Sequence, residues 1–358
     1  MLQLYSDYRI GGRPRYTLAA EPPADCMYIP DEIRKCVVFV CYRMDGEIRF
    51  AGTAFFVTRI IDIGSWTHLV TAAHVIRNIA ALENFDGKIL LRVNDKNGGV
   101  QTLDTDVASW LFHPDEPEVD IAVLPFVNAL RNVADIKSLT YDFFLNEEKR
   151  QKLQYGIGDE VFLPGLFYNH HGKSRNIPII RVGNIAAMAE EKVLTKLGYL
   201  DAYLVEARSI GGLSGAPVFL CLGVFDQVND ETEYTFLMLP SGTGERPRPS
   251  YHLLGLMHGH YSAAVPAQDA AVTDALSDEV VNMGIAIVIP SEKILEVLGQ
   301  PMIRDKENEA EQKELDKLLP TMDSVEPRSS ELNKDEFEKA LQMASRRVSE
   351  PDQATKET

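Results

Sequence analysis

Cysteine is scarce in this chain. Its 358 residues hold four (Cys26, Cys36, Cys41 and Cys221), irregularly spaced and without a CxxC pair. That excludes a paired-thiolate zinc site and a redox dithiol. Cys36 and Cys41, five apart in a strand-like segment, point to opposite faces and cannot form a strand-local disulfide. No run approaches the roughly 18 to 20 consecutive apolar residues of a bilayer-spanning helix. The start, Met1 to Asp7, lacks the basic, apolar and small-residue succession of a secretory signal. Basic residues are in deficit, 36 against 53 acidic, for a net charge of −17. Nucleic acids and anionic membranes, which bind through Lys and Arg, are therefore not expected partners. The loop Gly242 to Pro249 lacks the Gly-Lys-Ser/Thr ending of a phosphate-binding loop, and no cofactor is expected. Together these absences predict a reduced, cytoplasmic protein.

What is present is punctuated. Residues 1–30 carry Gly11-Gly12, Pro14 and Pro22-Pro23 without sustained periodicity and read as an N-terminal extension. From 31 to 298 short β-rich runs alternate with Gly, Pro, Asn and Asp turns. They are Cys36–Arg43, Glu47–Val57, His68–Ala72, Ile89–Val93, Val119–Leu124, Glu160–Leu163, Ile177–Ile185, Ala202–Ala207, Pro217–Leu222, His252–Met257 and Met283–Ile289. Many short strands without alternating helices predict an all-β antiparallel barrel or sandwich. A helical stretch is expected between about 129 and 152, joining two halves. A last helix follows Pro290, with Ser291 as N-cap, Glu292 in its first turn, and Ile294, Leu295 and Leu298 as its apolar stripe. Over 301–358, 25 of 58 positions are charged, so 299–358 reads as a flexible or transiently helical tail.

Three short motifs carry chemistry. In Gly211-Gly-Leu-Ser-Gly-Ala-Pro-Val218 a serine flanked by glycines precedes a strand. Glycine permits a tight turn that presents the hydroxyl while the N–H groups of Gly212 and Ser214 converge beside it. In Leu69-Val-Thr-Ala-Ala-His-Val75 small residues let the backbone pack closely and hold an imidazole at a strand end. In Val119-Asp-Ile-Ala-Val-Leu124 a carboxylate sits at the edge of an apolar strand, where burial is costly unless hydrogen bonds satisfy it. An imidazole Nδ1–H would do so; backbone amides alone would serve as well. Each motif by itself also fits an ordinary loop, a surface histidine or a structural carboxylate.

In the order His, Asp, Ser the three resemble trypsin-like (chymotrypsin-fold) serine proteases, closest to the disulfide-free bacterial and HtrA/Deg-type protease domains. Gly52-Thr-Ala-Phe-Phe-Val57, Ile157-Gly-Asp-Glu-Val161 and Gly284-Ile-Ala-Ile-Val-Ile-Pro-Ser291 extend the match across 31–298. The resemblance implies two antiparallel six-stranded β-barrels, at about 31–135 and 150–290, with the site in the cleft between them. It implies a serine endopeptidase acting on a protein or peptide, with Ser214 as nucleophile, His74 as base and Asp120 as its orienting acid. Gly212 and Ser214 would form the oxyanion hole.

The departures matter as much. Leu213 stands where secreted trypsins carry the aspartate that a new N-terminus neutralises, so that activation route is excluded. Ala216 replaces a family glycine and is tolerable if its φ stays negative. The charged tail is too short and polar for a PDZ domain. By register, Arg208 would floor the substrate pocket and pair with an acidic side chain; it could instead pair with Glu206 or Asp201. His258, Gly259 and Gly284 would line that pocket. His258 and His260 share a strand face and His170-His171 adds nitrogens, yet neighbouring histidines are mostly ordinary polar residues, and no metal is expected. A regulatory partner could engage the extension or the tail. The competing reading is a catalytically silent trypsin-like fold acting as a protein-binding module.

Overall fold

The computed structural model describes residues 29–61, 64–195, 197–207, 212–222, 250–264 and 280–323. The extension through residue 28, Arg208, Gly211 and the tail beyond Asp323 lie outside the described residues. Contacts divide the chain after Asp305.

The β character expected from sequence is observed. The first half supplies β1 (Val37–Met44), β2 (Glu47–Ile61), β3 (Gly64–Thr71), β4 (Lys88–Asn94), β5 (Val100–Asp106), β6 (Leu111–Phe112), β7 (Ala122–Leu124) and β8 (Leu139–Thr140). They pair in the order β5-β4-β1-β2-β3-β7-β6, with β8 parallel to β2. The six longer strands are thus joined by two of only two residues. Helix α1 (Ala73–Ala80) leaves the end of β3.

The second half supplies β9 (Glu160–Gly165), β10 (Ile179–Ala187), β11 (Val193–Thr195), β12 (Gly198–Leu200), β13 (Tyr203–Glu206), β14 (Pro217–Leu222), β15 (Ser250–Ala264) and β16 (Val280–Pro290). Six of them close a barrel in the order β10-β13-β16-β15-β14-β9, while β11 and β12 form a separate hairpin. Helices α2 (Leu130–Val133) and α3 (Glu147–Leu153) stand between the halves, and α4 (Ser291–Leu298) and α5 (Pro301–Asp323) follow the barrel.

The alternation of side chains along a strand explains the continuous apolar run in β14. Val218, Leu220 and Leu222 fill the barrel interior, whereas Phe219 and Cys221 join the larger core that also holds the first half's Phe55, Leu69 and Val123. Both faces of the strand are dry, so both must be apolar. The neighbouring strand repeats this: Val161 and Leu163 point inward, and Phe162 stacks on Phe219 with ring centroids 5.0 Å apart. Truncating either phenylalanine to alanine removes a large side chain from a fully packed site, at a cost of about 3–5 kcal/mol.

Two local expectations give way to tertiary packing. The stretch 129–152 is not one helix. Leu139 is drawn into β8 beside Val57, Phe143, Phe144 and Leu145 are buried, and α3 begins only where the Asn146 side chain accepts from Lys149 N–H at 2.9 Å. Ser291 does not cap α4. It is the first helical residue, and its hydroxyl donates to the Leu145 carbonyl at 2.7 Å, tying the helix to the inter-half segment. The thiols of Cys36, Cys41 and Cys221 are free and buried; burial pushes those of Cys41 and Cys221 up to about 12, so they stay protonated and inert. No helix among the described residues is long and apolar enough to cross a membrane.

His252 of β15 is buried, with Nε2 shared with the Ser250 hydroxyl at 2.9 Å. Burial, aided by the Lys149 ammonium, lowers its pKa to about 4. An unfolded histidine titrates near 6.5. The folded state therefore binds its proton later, and the stability this residue confers is complete above about pH 6.5 and lost as pH falls through 4. The loss amounts to about 3 kcal/mol. Chemical denaturation across that window should show it, and His252→Gln should flatten the acid limb; an unchanged limb in the variant contradicts the assignment.

Candidate active site

The site begins with α1. Ala73, Val75, Ile76 and Ile79 bury one face of this helix, which leaves His74, in its first turn, on the open side. The imidazole thus sits just past the strand, at the helix start rather than at the strand end expected from sequence. Ala72 and Ala73 are fully buried, and their small size lets the turn that carries Ser214 approach.

Asp120 lies two residues before β7, between buried Val119 and Ile121, and its carboxylate is wholly buried. Oδ1 accepts the His74 backbone N–H at 2.6 Å, and Oδ2 accepts from His74 Nδ1 at 2.5 Å. The Asp120 carbonyl accepts Ala73 N–H at 3.2 Å. One residue therefore satisfies the first N–H groups of α1 and orients its imidazole, with the anion at the positive end of the helix. A third bond was not anticipated: His258 Nδ1, from β15, reaches the same Oδ2 at 2.6 Å. Burial pushes the Asp120 carboxyl up, but the hydrogen bonds from His258 and His74 outweigh it and hold the group below the ordinary carboxylate range.

Ser214 comes from the other half, in the turn before β14. Gly212 and Gly215 hold φ of +101° and +83°, conformations that glycine adopts without strain. A Cβ on Gly215 would sit 2.2 Å from the Thr53 carbonyl oxygen. Leu213 is buried in the barrel core, and Ala216 is not among the positive-φ residues, as its side chain requires. The turn is fastened to the first half by Thr53 of β2. Its N–H donates to the Ser214 carbonyl at 2.9 Å, and its hydroxyl donates to the Gly212 carbonyl at 2.8 Å and accepts Leu166 N–H at 2.9 Å. Gly215 N–H is used by Met257, whereas the N–H groups of Gly212 and Ser214 have no acceptor among the described residues.

His74, Ser214, His258 and Gly259 line one cavity of about 600 Å³. The Ser214 hydroxyl donates to the His258 carbonyl at 3.4 Å rather than to His74. Gly284 lies on β16, where its carbonyl accepts Ala207 N–H, and is not among the lining residues described. Sequence reasoning missed another part of the lining. Leu194 and Leu197 of the β11–β12 hairpin line the cavity, and Tyr261 donates its hydroxyl to the Leu194 carbonyl at 3.1 Å. Strands of three residues leave too little alternation to read.

Two groups of donors bear on metal binding. His74, Asp120 and His258 bring their ligand atoms within 4.8 Å of one another, as do His113, Glu116 and Glu296. Ligands on a tetrahedral zinc, about 2.0–2.1 Å from the ion, stand about 3.3 Å apart. The separations of 2.5 and 2.6 Å around Asp120 are those of hydrogen bonds. In the second group the Lys293 ammonium already bridges Glu116 and Glu296, at 2.8 and 3.0 Å. His171 instead stacks on Phe50 and uses Nδ1 on the Tyr168 carbonyl.

A closed six-stranded barrel carrying Ser214 and a mostly antiparallel sheet flanked by His74 and Asp120 are consistent with a chymotrypsin-like fold, although the first half forms an eight-stranded sheet rather than the six-stranded barrel expected from sequence. No protein-family profile matches the chain, and no curated protein matches it in sequence. Solved structures similar to it include Deg5, at 14% identity over 74% of this chain and 87% of that chain, with a TM-score of 0.39. The MamO protease domain from Magnetospirillum magneticum is 12% identical over 74% of this chain and 96% of that chain, with a TM-score of 0.43. The HtrA-type protease AlgW, solved with a decapeptide, is 14% identical over 75% and 64%, with a TM-score of 0.40.

Thr53 offers a test of the seam. Thr53→Val keeps the shape and deletes the hydroxyl, leaving the buried Gly212 carbonyl and Leu166 N–H without their partner. A loss of about 2–3 kcal/mol is expected in denaturant unfolding. A variant as stable as the parent contradicts the clamp.

Proposed function

We propose that the chain is a serine endopeptidase that cleaves peptide bonds in a protein or peptide through Ser214, His74 and Asp120. The observation that carries this reading is the buried Asp120 carboxylate fixing the His74 ring in the lining of the cavity that Ser214 also lines. Because Nδ1–H is donated to Asp120, the lone pair of His74 is on Nε2, the nitrogen free to take a proton.

The chemistry follows from these positions. On substrate binding Ser214 turns its hydroxyl from the His258 carbonyl to His74 and attacks the scissile carbonyl carbon. His74 takes the serine proton, and Asp120 stabilises the imidazolium. The unengaged N–H groups of Gly212 and Ser214 meet the oxyanion. His74 then protonates the leaving amine, an acyl-enzyme remains on Ser214, and water, deprotonated by the same imidazole, releases the second product. No cofactor enters any step. Leu194 and Leu197 give one wall of the cavity an apolar surface for substrate side chains.

A fluorophosphonate probe should label the wild type and not Ser214→Ala; no labelling of the wild type would return the chain to the silent-scaffold reading. Asp120→Asn, which leaves the carboxylate's place filled but reverses the tautomer it selects, should lower kcat by roughly four orders of magnitude.

A further inference from the structure

We infer that His258 is a positioning residue that shares Asp120 with His74 and fixes both ends of the catalytic row. For its catalytic half the inference rests on the endopeptidase reading. Sequence register assigns this position to the wall of the substrate pocket. Its side chain is instead turned toward the buried carboxylate, where Nδ1 donates to Asp120 Oδ2 at 2.6 Å, beside the bond from His74 at 2.5 Å. The two rings stand nearly perpendicular, at 81°, with centroids 5.6 Å apart. This lets both nitrogens converge on one oxygen without the rings colliding.

The main chain of the same residue holds the other end. The His258 carbonyl accepts the Ser214 hydroxyl at 3.4 Å, and the preceding Met257 carbonyl accepts Gly215 N–H at 2.8 Å. Two consecutive residues of β15 therefore fasten the nucleophile turn and the orienting carboxylate together. Asp120 is anchored from the first half by α1 and from the second by His258.

Three consequences follow from the chemistry. With His258 in place, Oδ2 has a second donor, so the carboxylate cannot rotate to follow the His74 ring. The desolvated anion is neutralised by two N–H dipoles in addition to the backbone N–H on Oδ1, which lowers the cost of burying it. Both imidazoles are held as the Nδ1–H tautomer, and that of His74 is the one general-base catalysis requires.

Two measurements test this. In proton NMR of the intact protein, an imidazole Nδ1–H donated to a carboxylate resonates far downfield. The wild type should show two such signals, His258→Asn one, and Asp120→Ala neither. A single signal in the wild type that survives in His258→Asn overturns the shared carboxylate. In kinetics, His258→Leu should lower kcat about ten- to a hundredfold with KM little changed, the effect of losing one hydrogen bond to a charged group. His258→Asn, whose amide occupies the place of Nδ1, should recover most of it. A pocket-wall residue would move KM and side-chain preference and leave kcat alone, and that result overturns the inference. Two downfield signals in a wild type that fluorophosphonate does not label count for the shared carboxylate and against proteolysis.

Discussion

A carboxylate stripped of water organises this molecule. An isolated buried anion costs several kcal/mol even after relaxation, and the chain tolerates Asp120 only because three N–H groups surround it. Those donors come from the start of α1, from the ring of His74 and from the ring of His258. Satisfying the charge therefore fixes where a helix begins, which way an imidazole faces and how far a strand of the second half must reach. The same demand that would make Asp120 a liability in an apolar strand makes it an anchor here.

The two halves share one apolar core. In β14, and in β9 beyond its exposed first residue Glu160, alternate side chains fill the barrel while Phe162, Phe219 and Cys221 enter the larger core. Thr53 adds polar fastening at the point where apolar packing gives way to the turn that carries Ser214. The placement of Ser214 is thus set by packed side chains and by the hydrogen bonds of Thr53.

Much of this was legible in the chain. Glycine on both sides of Ser214 marked a turn that needs positive φ, and both Gly212 and Gly215 adopt it. The buried acid ahead of Ala122–Leu124 pointed to an imidazole partner, which is there. What escaped did so for physical reasons. β5 reads as polar because it lies at the end of the strand order, and its side chains are only partly covered or exposed. The segment 129–152 has helical composition, yet burying Leu139 and Phe144 overrides local propensity. His258 could not be found by spacing at all. A second donor to a carboxylate 138 positions away is a property of how two sheets dock, and nothing local in β15 signals it.

The order of these pieces along the chain has a temporal meaning. Ser214 precedes both His258 and the strand β16 that bridges β13 to β15. A chain still emerging from the ribosome, exposed only as far as β14, holds Ser214 but lacks the His258 carbonyl and ring that the folded protein sets beside Ser214 and Asp120, and its barrel is open. The hydroxyl becomes part of a formed cleft only after Pro290 is available to pair with Gly255.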